Sequence, residues 1–256
     1  MKFTFTGTGT SQGVPVIACG CKVCQSTDPR DKRLRTSGVL SSGDTTLVFD
    51  TGPDFRQQML ANRVQEVHAI VFTHKHKDHT AGLDDVRAFN YHLRRPMKIY
   101  ANQDTITHLH KEYYYIFENQ DYPGIPKLLL EEIFSDCSFQ VGDINLLPIP
   151  VMHGGLEVLG FRVRDFAYVT DAKLIPPSSM KLLEGLDALV LNALRIKPHH
   201  SHLTLSEALE VIAQLSPKRA YLTHISHLLG KHEEIARQLP DNVFLAYDGL
   251  QLSWED

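Results

Sequence analysis

The chain has 256 residues, 43% of them hydrophobic, enough to close a sizeable core as one large domain or a domain with an insert. A formal net charge of −4 and a pI near 6.4 offer no basic field to attract nucleic acid. No apolar run is long enough to span a bilayer, and the opening MKFTFTGTGT lacks the apolar stretch of a secretory signal, so the sequence reads as cytoplasmic.

In chain order, residues 2–6 alternate like a strand and lead into the glycine-rich turn GTGTSQG. Residues 37–41 and 45–49 predict a hairpin around Gly43-Asp44. DTGPDF then turns into a helix over about 55–62, followed by a buried strand at 68–72 and another at 97–101. Residues 102–135 read as a helical, aromatic-rich insert in a single domain spanning 1–256. The second half predicts strands at 144–151, 159–164, 166–170, 187–191, 219–223, 243–247 and 250–253. Helices are predicted at 178–184, 204–214 and about 228–238. Strands and helices alternate loosely in both halves, as in a layered α/β domain.

Three clusters carry chemistry. The first is HKHKDH at 74–79. Residues two apart on an extended segment point the same way, so His74 and His76 can converge on one point. Asp78 and His79 fall on the turn that opens the next helix and can converge on a second point nearby. Imidazole and carboxylate together suit zinc, manganese or iron. Asp84 and Asp85, a little further on, read as capping or solvated residues.

The second cluster is CGCKVC at 19–24. In a reducing compartment Cys19, Cys21 and Cys24 read as metal ligands rather than disulfide partners. Three thiolates and one histidine make the closed shell of a structural zinc. HISH at 224–227 offers the histidine, and Cys137 is a rival fourth ligand. His224 and His227 are three apart, so the two cannot both end on the same spot without strain and only one can face the clip. The third cluster is PHHSHLTLSEAL at 198–209, where His199, His200 and His202 precede a helix that Thr204 or Ser206 can cap.

HxHxDH is the signature of the metallo-β-lactamase superfamily, which this chain resembles along its length. That pattern calls for a later histidine, a bridging aspartate and a final histidine at strand ends, and His153, Asp171 and His224 stand in that order. The resemblance implies a four-layer αβ/βα sandwich with its site at one edge of two facing sheets. It implies one metal site from His74, His76, His153 and Asp171, and a second from Asp78, His79, His224 and the shared Asp171. DTGPD at 50–54 matches the family's early Asp-x-Gly turn, whose aspartate buttresses the metal loops. Two cations roughly 3.5–4 Å apart share a water and lower its pKa toward neutrality, giving a bridging hydroxide as nucleophile.

CGCKVC together with LTHISH and GTGTSQGVP is similar to the PhnP-type cyclic phosphodiesterases. That likeness implies His227 as the fourth ligand of a structural zinc. It implies His202 as a proton donor overhanging a catalytic pair of manganese, zinc or iron ions, with Asp78 also orienting the water. The implied substrate is a small cyclic or nucleoside phosphodiester, and a homodimer is implied as partner. Two other readings use the same metals: a thioester or lactone hydrolase of glyoxalase II type, and a nuclease of tRNA 3′ ends. The net charge, without a basic arm, counts against the second. Tyr113–Tyr115 read as core, and Arg87, Arg94 and Arg95 as solvated cations able to grip phosphate.

Overall fold

A computed structural model of the chain describes residues 1–118 and 124–254. The first sheet is built from β1 (Lys2–Gly7), β2 (Ser37–Ser42), β3 (Thr45–Phe49), β4 (Ala69–Val71), β5 (Met97–Ala101) and β6 (Leu128–Glu132). The second takes β7 (Phe139–Val141), β8 (Ile144–His153), β9 (Leu156–Val163), β10 (Phe166–Val169), β11 (Ala188–Asn192), β12 (Arg219–Thr223) and β13 (Val243–Leu245). The last strand, β14 (Gln251–Ser253), returns to pair antiparallel with β1, so the first sheet runs β14-β1-β2-β3-β4-β5-β6. The second runs β13-β12-β11-β10-β9-β8-β7.

Helices cover the outer faces. On the first sheet lie α1 (Phe55–Ala61), α2 (Lys77–Thr80), α3 (Arg87–Leu93), α4 (Gln103–Glu112) and α5 (Tyr114–Glu118). On the second lie α6 (Pro177–Leu182), α7 (Leu205–Leu215) and α8 (His232–Ala236). The result is the expected four-layer αβ/βα sandwich. Alternation within the strands explains it. Phe3 and Phe5 of β1, with Phe49, Phe161, Phe166 and Tyr168, point inward and fill the space between the sheets. Phe49 stacks on Phe161 and Tyr168, with centroids 5.5 and 5.0 Å away. A Cβ on Gly38 would lie 2.3 Å from the Phe3 ring, so glycine there makes room for that ring.

Three expectations need correction. The stretch 102–135 is not wholly helical, because Leu128–Glu132 forms β6 and pairs parallel with β5. LLLEE holds only three apolar residues in a row, too short a run for periodicity to separate strand from helix. The part of that stretch at 119–123 lies outside the described residues. The helix expected over 228–238 is only His232–Ala236, since Gly230 sits at φ +132° and breaks the turn before it. A strand at Phe139–Val141, absent from the sequence reading, forms a hairpin with β8 through Gly142.

The inter-sheet aromatics bind the two sheets to each other. Phe49→Ala is expected to cost about 3–5 kcal/mol, through lost burial and the cavity left behind. Urea unfolding followed by near-UV circular dichroism would check this, and a cost under 1 kcal/mol would contradict the packing described.

Candidate metal centre

The site forms where strands of both sheets end on one edge. Asp50 follows β3, residues 72–79 follow β4, His153 ends β8, Asp171 follows β10, and His224 follows β12. Asp50, Asp171 and His224 adopt left-handed backbone, with φ of 63°, 60° and 55°. Each thereby leaves its strand sharply and turns its side chain across the edge. Such residues cost of order 1–3 kcal/mol and persist only where surroundings enforce them.

Two groups of side chains result. His74, His76 and His153 bring a ring nitrogen each within 4.8 Å of one another, and Asp78, His79, Asp171 and His224 do the same with their carboxylate oxygens and ring nitrogens. Asp171 joins the groups: its carboxylate lies 3.9 Å from His74 Nε2, 3.5 Å from His79 Nε2 and 3.1 Å from His224 Nδ1. His202 overhangs both, its Nδ1 4.0 Å from Asp171 Oδ2 and its ring 4.4 Å from that of His153. Every residue expected at the catalytic pair is therefore assembled at one place.

Outer hydrogen bonds set the ring tautomers. His153 Nδ1 donates to the Ser201 carbonyl at 2.7 Å. His79 Nδ1 donates to Asp50 Oδ2 at 2.7 Å. His74 Nδ1 lies 3.0 Å from the Thr73 hydroxyl, which itself donates to Asp50. In each ring the other nitrogen, Nε2, keeps its lone pair for the centre, the arrangement that metal-binding imidazoles use. His79 Nε2 is buried without a hydrogen-bond partner. His74 Nε2 faces His76 Nδ1 at 3.0 Å.

The electrostatics also call for cations. Burial works against charge on His79, yet Asp171, Asp78 and Asp50 hold its pKa well above the ordinary value. Burial likewise opposes ionisation of Asp171, but His224, His79 and His74 keep its carboxyl well below the usual range. The pocket is poised for positive charge, and these donors fit two divalent ions.

Two further features brace the loop. Thr51 N donates to His79 O and Gly82 N to Thr51 O, locking the DTG turn against α2. A Cβ on Gly52 would meet the Asp78 carbonyl at 2.2 Å, so only glycine allows this approach. From the other side the insert reaches over: Tyr113 donates to Thr80 O at 2.7 Å and Tyr115 to Asp84. Lys75 pairs with Asp104, and Lys77 with Glu112. Of the three tyrosines expected in the core, Tyr113 is buried while Tyr114 is exposed. Arg87 pairs with Asp84 and Arg95 with Glu66. The hydroxyl of Thr73 and the carbonyl of Ser201 escaped the sequence reading. A backbone carbonyl has no residue signature, and a lone threonine has little.

The cysteine loop closes on the same rim. His227 Nδ1 lies 3.3, 3.4 and 3.5 Å from the sulfurs of Cys19, Cys21 and Cys24. A tetrahedron with Zn–S near ~2.3 Å and Zn–N near ~2.0 Å has N···S edges of about 3.5 Å. The Cys24 backbone N–H and His227 pull the Cys21 thiol down to about 6, while burial pushes Cys24 up to about 11. Three sulfurs this close ionise together only around a cation. Cys137 is exposed and outside the cluster, which removes it as the rival ligand.

The model of a beta-lactamase superfamily domain matches residues 45–225. With this fold and this edge, the chain belongs to the metallo-β-lactamase superfamily. Within it, the chain is similar to the crystal structure of a diphosphatase from the PhnP family, with 40% identity and a TM-score of 0.93 over 99% of this chain and 98% of that one. Zn(2+)-bound PqqB from Methylobacterium extorquens matches 99% of this chain and 100% of its own at TM-score 0.85, but 18% identity speaks to the fold alone. An octanoyltransferase of Porphyromonas gingivalis is 38% identical over 253 residues, 98% of this chain and 51% of that protein. The chain thus spans about half the length of that relative. Fold and likeness together support a metal-dependent hydrolase. No helix among the described residues is long and apolar enough to cross a membrane.

His76→Ala is expected to lower catalytic-site metal content while the cysteine clip keeps one zinc per chain, and His227→Ala should do the reverse. Elemental analysis after gel filtration would read both, and equal losses in the two variants would refute separate sites. Asp50→Asn, which unsettles His79 and Thr73, should weaken metal affinity roughly 10–100-fold, measured by competition with a chromogenic chelator.

Proposed function

We propose that the chain hydrolyses small phosphodiesters, with His74, His76, His153 and Asp171 holding one divalent ion and Asp78, His79, His224 and Asp171 the other. Zinc, manganese or iron fits this donor set. Two such ions would polarise a phosphoryl oxygen and acidify a water. Cys19, Cys21, Cys24 and His227 hold a structural zinc that ties the N-terminal loop to the rim.

His202 carries the reading. Its Nδ1 is buried, lacks a hydrogen-bond partner, and faces the point where both ligand groups meet. Burial and the neighbouring His224 push its pKa down to about 3, so the ring waits neutral, with one N–H to offer. An alkoxide leaves poorly unless it is hydrogen-bonded or protonated, and a ring in this position serves that end. An anionic phosphoryl group arriving beside it favours the protonated ring. A thiolate leaves without such help, so this placement favours an oxygen ester of phosphate over a thioester. Asp78 lies 3.3 Å from His79 Nε2 and is largely but not fully buried, which suits it to orient an attacking water as well as to ligate. The PhnP-family diphosphatase supports phosphoryl chemistry. The likeness to half of an octanoyltransferase is the reason a thioester belongs in the test.

The test is one panel on protein purified with manganese or zinc: bis(p-nitrophenyl) phosphate, p-nitrophenyl phosphate and a thioester. Diester turnover that EDTA abolishes is the expected result, and preference for the thioester would overturn the proposal. His202→Ala should retain its metals while kcat on the diester falls about 100-fold or more. An unchanged kcat would remove His202 from the mechanism.

A further inference from the structure

His202 is held as firmly as the members of the two ligand groups. Leu203 N donates to the Ala172 carbonyl at 2.8 Å, Leu194 N to the Leu203 carbonyl at 2.9 Å, and the Ser201 carbonyl accepts from His153 Nδ1 at 2.7 Å. Ala172 follows Asp171 and is itself pinned by Asn192. The backbone on both sides of His202 is therefore tied to the candidate centre, to His153 before it and to the residue after Asp171 behind it.

The residue is 8% exposed, and its Nδ1 has no hydrogen-bond partner among the described residues. A buried polar nitrogen without a partner is costly, so something belongs opposite it. What it faces is Asp171: Nδ1 lies 4.0 Å from Oδ2, almost the 3.9 Å of His74 Nε2. His153, Asp171 and His202 each bring a donor atom within 4.8 Å of one another, as the two groups of the centre do. Two metal–ligand bonds of about 2.0–2.2 Å join donor atoms up to about 4.3 Å apart, so one ion spans the gap from His202 Nδ1 to Asp171. His199 on the same loop differs, because its Nδ1 already accepts from Ser201 N.

His153 belongs both to the group with His74 and His76 and to the group with Asp171 and His202. Its Nδ1 is spent on the Ser201 carbonyl, which leaves Nε2 and one lone pair. One lone pair serves one ion. His202 therefore adds no third ion to the pair. It adds a donor to the ion that His153 and Asp171 share.

We infer that His202 Nδ1 is a metal ligand in the substrate-free protein, forming with His153 and Asp171 a third ligand set, of two nitrogens and one oxygen, for the divalent ion on the His74–His76 side. This rests on the binuclear centre of the proposed function and deepens it. A phosphoryl oxygen competes for the same coordination position: its oxygen–metal bond replaces the nitrogen–metal bond, and Nδ1 is released. The released nitrogen then stands beside the substrate, free to carry a proton. Ligand and proton donor are successive states of one residue.

The experiment loads the candidate centre with cobalt(II) and reads the proton NMR spectrum, where the N–H of a cobalt-bound imidazole is shifted far from the diamagnetic range and vanishes in D2O. Wild type and His202→Ala are compared at equal cobalt per chain, and inorganic phosphate is then titrated into each. The wild type should show one exchangeable shifted resonance more than His202→Ala. Saturating phosphate should remove that resonance from the wild type and none from the variant. Identical sets in the two proteins would overturn the inference. So would a wild type that keeps every resonance at saturating phosphate, a result that does not depend on the variant folding. Cobalt content separates the two levels of the reading. Two ions per chain beyond the cysteine clip, with identical spectra, refute only the role of His202, whereas a centre that takes up fewer than two refutes the binuclear centre and the inference with it.

Discussion

Asp171 is the carboxylate on which the working edge converges. It is fully buried, and four imidazoles, those of His74, His79, His202 and His224, lie within 4.0 Å of it. A buried carboxylate is costly unless positive charge and hydrogen bonds surround it. Here the cost is met by concentrating donors, and the cluster so formed is a ligand cage. The other features of this edge deliver a ring to Asp171, fix that ring's tautomer, or stop it from withdrawing.

Delivery comes from the ends of strands in both sheets. Asp50, Asp171 and His224 all take left-handed backbone at the point where a strand stops. This local strain is sustained by a rigid aromatic interior, where Phe49 and Tyr168 are packed one and three residues before the turning aspartates. Asn192 adds a second hold: its side chain pairs with both the N–H and the carbonyl of Ala172, pinning the loop just past Asp171. Stability stored in the core is thus spent on geometry at the edge, as expected where strained backbone and function coincide.

The periphery restrains the same loops from outside. The insert places Tyr113 on the last carbonyl of α2, and its exposed ion pairs with Lys75 and Lys77 add little energy but fix direction. The cysteine loop meets His227, three residues beyond His224, so a clip there would restrain the strand end that carries His224 into the candidate centre. Cys19 and His227 are 208 positions apart, and a clip closing so long a loop would remove much freedom from the unfolded chain.

Legibility of these parts in the sequence followed their locality. HKHKDH could be read directly because its ligands are two and three residues apart on one extended-to-helical segment. Cys19, Cys21 and Cys24 were equally plain. His153, Asp171 and His224 were reached only through a family's order of ligands, since nothing local distinguishes them from other polar residues at strand ends. The choice of His227 over Cys137 also came from that likeness, and the structure settles their positions by exposing Cys137. The strand β6 reads as helix in the sequence because three leucines followed by two glutamates lack a decisive period.

By itself the sequence determined the chemistry on offer: clustered imidazoles, carboxylates and thiols, on alternating strands suited to a layered α/β fold. Only the tertiary structure decided which of these meet, which ring nitrogen faces the candidate centre, and which histidines of the 198–202 loop stand beside it. The reason is that those relations depend on the register and packing of two sheets. They also depend on backbone groups, such as the Ser201 carbonyl, that every residue possesses and no sequence pattern marks.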